Sequence, residues 1–158
     1  MPSSLPQDAA ILLPLLVSLV TTLTTIVIHG LALIAVLYIV GREYRLGRAG
    51  IRFWRDLAII ATVTQLALVA HVVEIAVWAV VLSLCGEFTR LAGAFYHSAM
   101  NYTSLGYGDV VMSPSWKLLG PLEAANGLLL FGVSTAMIFA VIERLVRSRL
   151  RTGGPLDR

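Results

Sequence analysis

Residues 9 to 41 contain no Asp, Glu, Lys or Arg, and two later stretches come close: residues 57 to 86 carry Glu74 alone, and residues 124 to 142 carry no charge. A helix needs about 20 apolar residues to cross the hydrocarbon of a bilayer, and a soluble core has no use for blocks so long. Three membrane-spanning helices are therefore predicted. Composition agrees, since 58% hydrophobic and 13% charged residues lie far from the roughly 25% charge of an ordinary soluble domain. The expected class is an all-α integral membrane protein. The first block would rise about 50 Å as a straight helix against ~30 Å of hydrocarbon, so tilt, a break near Pro14 or Gly30, or an overhang has to absorb the excess.

The start, MPSSLPQD, lacks the basic flank of a secretory signal, and the first span is expected to be retained. Cys85 is the single cysteine, which leaves an intersubunit bridge or, more simply, a small buried apolar residue. The formal charge of +3 does not point to nucleic acid, because the placement of the basic residues explains it. Arg42, Arg45, Arg48, Arg52 and Arg55 fill the first connection; Arg144, Arg147, Arg149, Arg151 and Arg158 fill the tail. Only Arg90 and Lys117 flank residues 87 to 117. The positive-inside rule then orients the chain with its N-terminus outside, the arginine-rich connection and tail in the cytoplasm, and residues 87 to 117 facing out. The connection GREYRLGRAGIRFWRD, with Phe53 and Trp54, suits an interfacial helix on anionic lipid headgroups.

The chain divides into an N-terminal span over 1–41, a basic connection over 42–56, a module over 57–147 and a short basic tail over 148–158. The threonine cluster Thr21, Thr22, Thr24 and Thr25 is expected to bond back to carbonyls one turn earlier. Within the module, the spans at 57–86 and 118–147 flank a segment too long for a plain loop. Its first part, LAGAFYHSAMNYT, has no Gly or Pro after Gly93 and predicts a short helix over 93–103, too short to span and of the kind that dips into the membrane and returns. TSLGYGD follows at 103–109.

Backbone exposed at membrane depth is tolerated only where protein, water or ions satisfy it. Gly106 and Gly108, one residue apart, can adopt φ > 0, so successive peptide units can alternate in twist and aim their carbonyls to one side. A column of carbonyls can replace the hydration shell of an alkali cation, and the C-terminal end of the preceding short helix adds partial negative charge.

The run Thr103 to Asp109 resembles the potassium-channel signature T-T-V-G-Y-G-D, with Ser104 for Thr and Leu105 for Val. Ala94, Tyr96 and Ser98 match the family's pore helix, Trp116 falls seven residues after the aspartate, and LEAANGLLLFGVSTA at 122–136 is similar to the inner helix of small bacterial ion channels. The likeness covers roughly residues 70 to 145. It implies K+ ions held by the carbonyls of Ser104, Leu105, Gly106 and Tyr107, with the Thr103 carbonyl or Ser104 hydroxyl at the inner end and Gly108 closing the motif. It implies that the Tyr107 side chain braces the filter, that Asp109 lies behind the outer mouth, and that the site of action is a bacterial cytoplasmic membrane. Where some members pair a pore-helix Glu with the aspartate, this chain has Met100. Gly127 and Gly132 fall near the place where the family bends its inner helix; close helix approach is the other reading.

One filter segment per sequence and a ring that needs four give a homotetramer. His71 and Glu74 lie three apart within the second span, where a lone charge costs about 3 kcal/mol, so they are neutral, paired or wet. They are read either as a pH-sensitive element behind the pore or as a packing pair, with Asn126 or a first-span threonine as a partner. Glu123 is expected to sit at its own helix start, Asn126 to meet the pore helix or filter, His29 to be a packed neutral histidine, and His97 to meet a neighbouring helix. No span carries the regular arginines of a voltage sensor. The functional expectation is passive potassium conduction without enzymatic chemistry or an organic cofactor. The alternatives are a poorly selective cation channel, because Ser104 and Leu105 alter the filter, and a non-conducting sensor that retains the pore fold.

Overall fold

The computed structural model describes residues 7–151, and within them the chain is four helices joined by turns, with no strand among the described residues. They are α1 (Gln7–Arg45), α2 (Phe53–Leu84), α3 (Leu91–Tyr102) and α4 (Leu119–Arg151). Three of them, α1, α2 and α4, are long and apolar enough to cross a membrane, as the long apolar blocks predict. The fourth, α3, has 12 residues and cannot. Residues 152–158 of the expected tail lie outside the described residues.

α1 runs unbroken for 39 residues through Pro14 and Gly30, which removes a break as the way to absorb its length and leaves tilt or overhang. Its threonines bond back as expected, Thr21 Oγ1 to the Val17 carbonyl at 2.8 Å and Thr25 Oγ1 to the Thr22 carbonyl at 2.9 Å. A stripe of exposed apolar residues, Leu16, Val20, Leu23 and Val27, recurs at helical spacing and suits lipid tails.

Helix ends depart from the sequence reading. α1 continues past 41 to Arg45, α2 begins at Phe53 rather than 57, and α4 continues past 147 to Arg151. The basic connection shrinks to residues 46–52, and no separate interfacial helix forms there. The physical reason is a compact turn. Gly47 and Gly50 take φ of +59° and +79°, conformations that only glycine holds cheaply. Asp56, in the first turn of α2, accepts the Gly50 N–H at 2.8 Å and an Arg149 guanidinium N–H at 2.8 Å. A Cβ on Gly50 would lie 2.6 Å from Ser148 Oγ, so the turn fits only with glycine there. At the end of α4, Glu143 and Arg147 pair one turn apart at 2.6 Å and favour continuing the helix beyond the apolar stretch.

The described residues divide into two units, 7–28 with 71–130, and 29–70 with 131–151. α1, α2 and α4 each contribute a stretch to both. The second unit has an apolar core of Val36, Val40, Ile59, Val63, Val141 and Leu145. Arg144 stacks its guanidinium 4.4 Å from the Tyr44 ring centre there, and the His29 Nε2 and Ser134 hydroxyl lie 3.1 Å apart. The first unit buries Trp78, Ala79, Leu82, Ala94, Tyr102 and Leu119 completely, together with the polar residues described next.

Candidate functional site

The first unit holds α3 and the glycine-bearing segment after it. α3 begins after Arg90, whose backbone is extended and whose side chain makes no cap, and it ends at Thr103 with φ −82° and ψ −1°. Thr103 closes the last turn twice, its N–H bonding the Ala99 carbonyl at 3.1 Å and its hydroxyl donating to the same oxygen at 2.6 Å. The chain then turns on the helix's own orphan carbonyls. Ser104 N–H donates to the Asn101 carbonyl at 2.8 Å, and Leu105 and Gly106 N–H both donate to the Met100 carbonyl, at 2.9 and 3.1 Å. Three consecutive donors are thereby used inside the chain. The carbonyls of residues 104 to 107 accept no backbone hydrogen bond among the described residues.

Backbone handedness alternates along this segment. Ser104, Gly106 and Gly108 have φ of +59°, +53° and +72°, while Leu105 and Tyr107 between them do not enter positive φ. Alternation of this kind turns successive peptide planes in compensating directions, so the chain advances without coiling as a helix. Sequence reasoning anticipated the two glycines and missed Ser104, which among the described residues is the one non-glycine at positive φ. A left-handed non-glycine costs roughly 1 kcal/mol or more. The two hydrogen bonds closing the helix end beside it, from Ser104 and Leu105 N–H, offset that cost.

Asp109 is exposed and accepts a hydrogen bond from the Tyr96 hydroxyl at 2.9 Å. That bond raises the Tyr96 phenol above its ordinary range. The tyrosine one turn before Met100 thus ties the aspartate to α3. Glu87, just after α2, accepts both the N–H and the hydroxyl of Ser113, at 2.7 and 2.6 Å, and anchors the exit of the loop.

Behind α3 lie two fully buried carboxylates. Glu74 of α2 accepts a hydrogen bond from the Tyr102 hydroxyl, and His71 Nδ1 lies 3.2 Å from Glu74 Oε2 and 3.1 Å from the Tyr102 oxygen. The expected His71 and Glu74 pair is real, and its partner is Tyr102 of α3. Glu123 corrects its expectation. It lies beyond the first turn of α4 and does not cap that helix; its carboxyl meets Ser98 Oγ at 2.5 Å and Asn101 Nδ2 at 3.5 Å. Asn126 is also elsewhere than expected, donating to Thr25 Oγ1 of α1 at 2.9 Å. Gly127 carries the close-approach role, since a Cβ there would sit 2.0 Å from the Tyr102 carbonyl oxygen, while Gly132 has nothing within 4 Å. His97 packs against Phe88 of the loop after α2, with ring centres 5.1 Å apart. Its Nε2 is buried without a partner among the described residues, and burial lowers its basicity below the ordinary value against the opposing pull of Asp109 and Glu87.

A signal for these contacts did exist. Membrane carboxylates demand donors, and α3 offers Ser98, Asn101 and Tyr102 on one face at helical spacing. A cavity of about 360 Å³ lies beside the segment, bounded by His97, Met100, Asn101, Ser104, Gly106 and Lys117 among others.

A family described as an ion channel matches residues 58–144, more than half of the chain, from the start of α2 to near the end of α4. α1 lies outside the matched segment. Neither a curated protein nor a solved structure matches the chain.

Proposed function

The chain belongs to that ion-channel family, and from this premise we propose that it conducts potassium passively through a pore ringed by residues 103–109 of four identical copies. The observation that carries the reading is the alternating backbone of Ser104, Gly106 and Gly108, with N–H groups turned onto α3. In the proposed pore the carbonyls of Ser104, Leu105, Gly106 and Tyr107 replace water around K+. Four segments are needed for such a ring, and this sequence supplies one. Support for self-association comes from side chains that a lone chain leaves bare: Tyr107 is 73% and Leu105 59% exposed. A neighbouring copy would cover them. α3 is the re-entrant pore helix of this arrangement and α4 its inner helix.

The proposed orientation puts the N-terminus and α3 outside and the arginines of 42–56 and of the α4 end against anionic lipid in the cytoplasm. Purified protein in planar bilayers tests the function through bi-ionic reversal potentials with potassium on one side and sodium on the other. Strong potassium preference is the expected result. A reversal near zero would give the Ser104 and Leu105 changes their alternative meaning, a poorly selective cation pore, and silence across lipid compositions and pH would favour the non-conducting sensor.

A further inference from the structure

Glu123 poses a problem in hydrogen counting. It is fully buried, and no Lys, Arg or His pairs with it among the described residues. Its Oε1 lies 2.5 Å from Ser98 Oγ, and the same Ser98 Oγ lies 2.9 Å from the Ile75 carbonyl oxygen of α2. A serine hydroxyl has one hydrogen to give, and a carbonyl oxygen has none. If Ser98 donates to Ile75, the close contact with Glu123 requires a proton on the carboxyl. If Ser98 donates to Glu123 instead, a buried negative charge is left with one hydroxyl and an amide at the 3.5 Å limit of bonding. No cation balances it, and burial of an uncompensated charge in such surroundings is strongly unfavourable.

We infer that Glu123 is a neutral carboxylic acid that donates to Ser98, which donates in turn to the Ile75 carbonyl, so that one directed relay ties α4 to α3 and α3 to α2. This inference rests on the reading of residues 103–109 as the ion path. Under it, Glu123 is a positioning residue for the filter. The relay grips α3 at Ser98, less than one turn before Met100 and Asn101, whose carbonyls hold the N–H groups of Ser104, Leu105 and Gly106. A shift of α3 along or about its axis therefore moves the backbone that the ions would meet. In a bilayer, where apolar contact with lipid competes with apolar contact between helices, directed bonds of this kind set the position of a short helix.

Infrared spectroscopy of the full-length protein in lipid vesicles at neutral pH tests the protonation. The wild type minus Glu123→Gln difference spectrum should contain a neutral carboxyl carbonyl band. A carboxylate doublet in its place overturns the inference while leaving the channel reading intact. Positioning is read separately, by the potassium-to-sodium permeability ratio. Glu123→Gln keeps an N–H donor toward Ser98 and should retain selectivity. Glu123→Leu removes the donor, and Ser98→Ala removes the middle of the relay with little change in volume. Each should lower the permeability ratio about fivefold to tenfold, the worth of one buried hydrogen bond. If Glu123→Leu does not assemble, Ser98→Ala alone decides. Tetramers of either variant that elute as the wild type does and select as the wild type does would overturn the positioning role. Should the neutral band be present and potassium current absent from every preparation, including the wild type, the relay stands and the channel reading falls.

Discussion

The same three long helices build two different interiors. In the unit of residues 29–70 with 131–151, the core is Val36, Val40, Ala49, Ile59, Val63, Val141 and Leu145, and among the described residues the buried polar ones are His29, Asp56 and Ser134. In the unit around α3, Thr25, His71, Glu74, His97, Ser98, Glu123 and Asn126 are all buried, and most are bonded to one another across helices. Helix sequences of similar hydropathy therefore do not imply similar interiors. An apolar core is held by contacts without direction, so its shape alone sets its packing. A hydrogen-bonded core has one arrangement that satisfies its donors and many that do not. The unit that holds the glycine-bearing segment is the one that specifies geometry. The other supplies bulk cohesion and, at Asp56 and Arg149, a fixed turn.

The harshest test of this contrast is Gly127→Ala. The added Cβ meets a backbone carbonyl at 2.0 Å, and no rotamer relieves that. Either α4 or the end of α3 must move, at a cost of about 3 kcal/mol or more. The expected outcome is loss of the assembled protein from detergent extracts, read by size-exclusion chromatography. Gly132→Ala, with open space around it, should assemble normally. Equal behaviour of the two variants would erase the distinction drawn between a packing glycine and an unconstrained one.

Next in size comes Leu145→Ala in the apolar core. Leu145 is 3% exposed, and its truncation opens a cavity worth about 2 to 4 kcal/mol. Thermal unfolding should fall by several degrees while the permeability ratio stays at the wild-type value. Tyr102→Phe should do the reverse. It removes one hydroxyl from Glu74 and His71, costs about 1 to 2 kcal/mol, and should change ion selectivity or the persistence of current more than it changes melting. If Leu145→Ala alters selectivity as much as Tyr102→Phe does, the division of labour between the two interiors is wrong.

The sequence disclosed whatever depends on long runs or on a local motif. Three spans were legible because long apolar blocks at 9–41, 57–86 and 124–142, with Glu74 as their single charge, have no other use. The short α3 and the glycines at 106 and 108 were legible because the φ requirement is local to each residue. Helix ends were not, since α2 begins early only because Asp56 finds Gly50 and Arg149, the latter from the far end of the chain. Partners of the buried acids were also hidden. Ser98 and Glu123 lie 25 residues apart, Thr25 and Asn126 lie 101 apart, and nothing in either neighbourhood names the other. A lone acid in a span announces that a donor exists without saying which helix brings it. Sequence places Glu123 at its own helix start for that reason, the local partner being the one that sequence can see.

The smallest expected effect is a pH dependence that originates beside α3. His97 belongs to the polar unit, and burial holds its imidazole below the ordinary value of about 6.5. As pH falls, the unfolded chain takes up this proton before the folded one does. The stabilisation from keeping His97 neutral is therefore complete above about pH 6.5 and is lost progressively below it. Melting temperature should decline between about pH 7 and pH 5, and His97→Gln, which cannot titrate, should flatten that decline. An unchanged slope in His97→Gln would move the acid sensitivity elsewhere in the molecule.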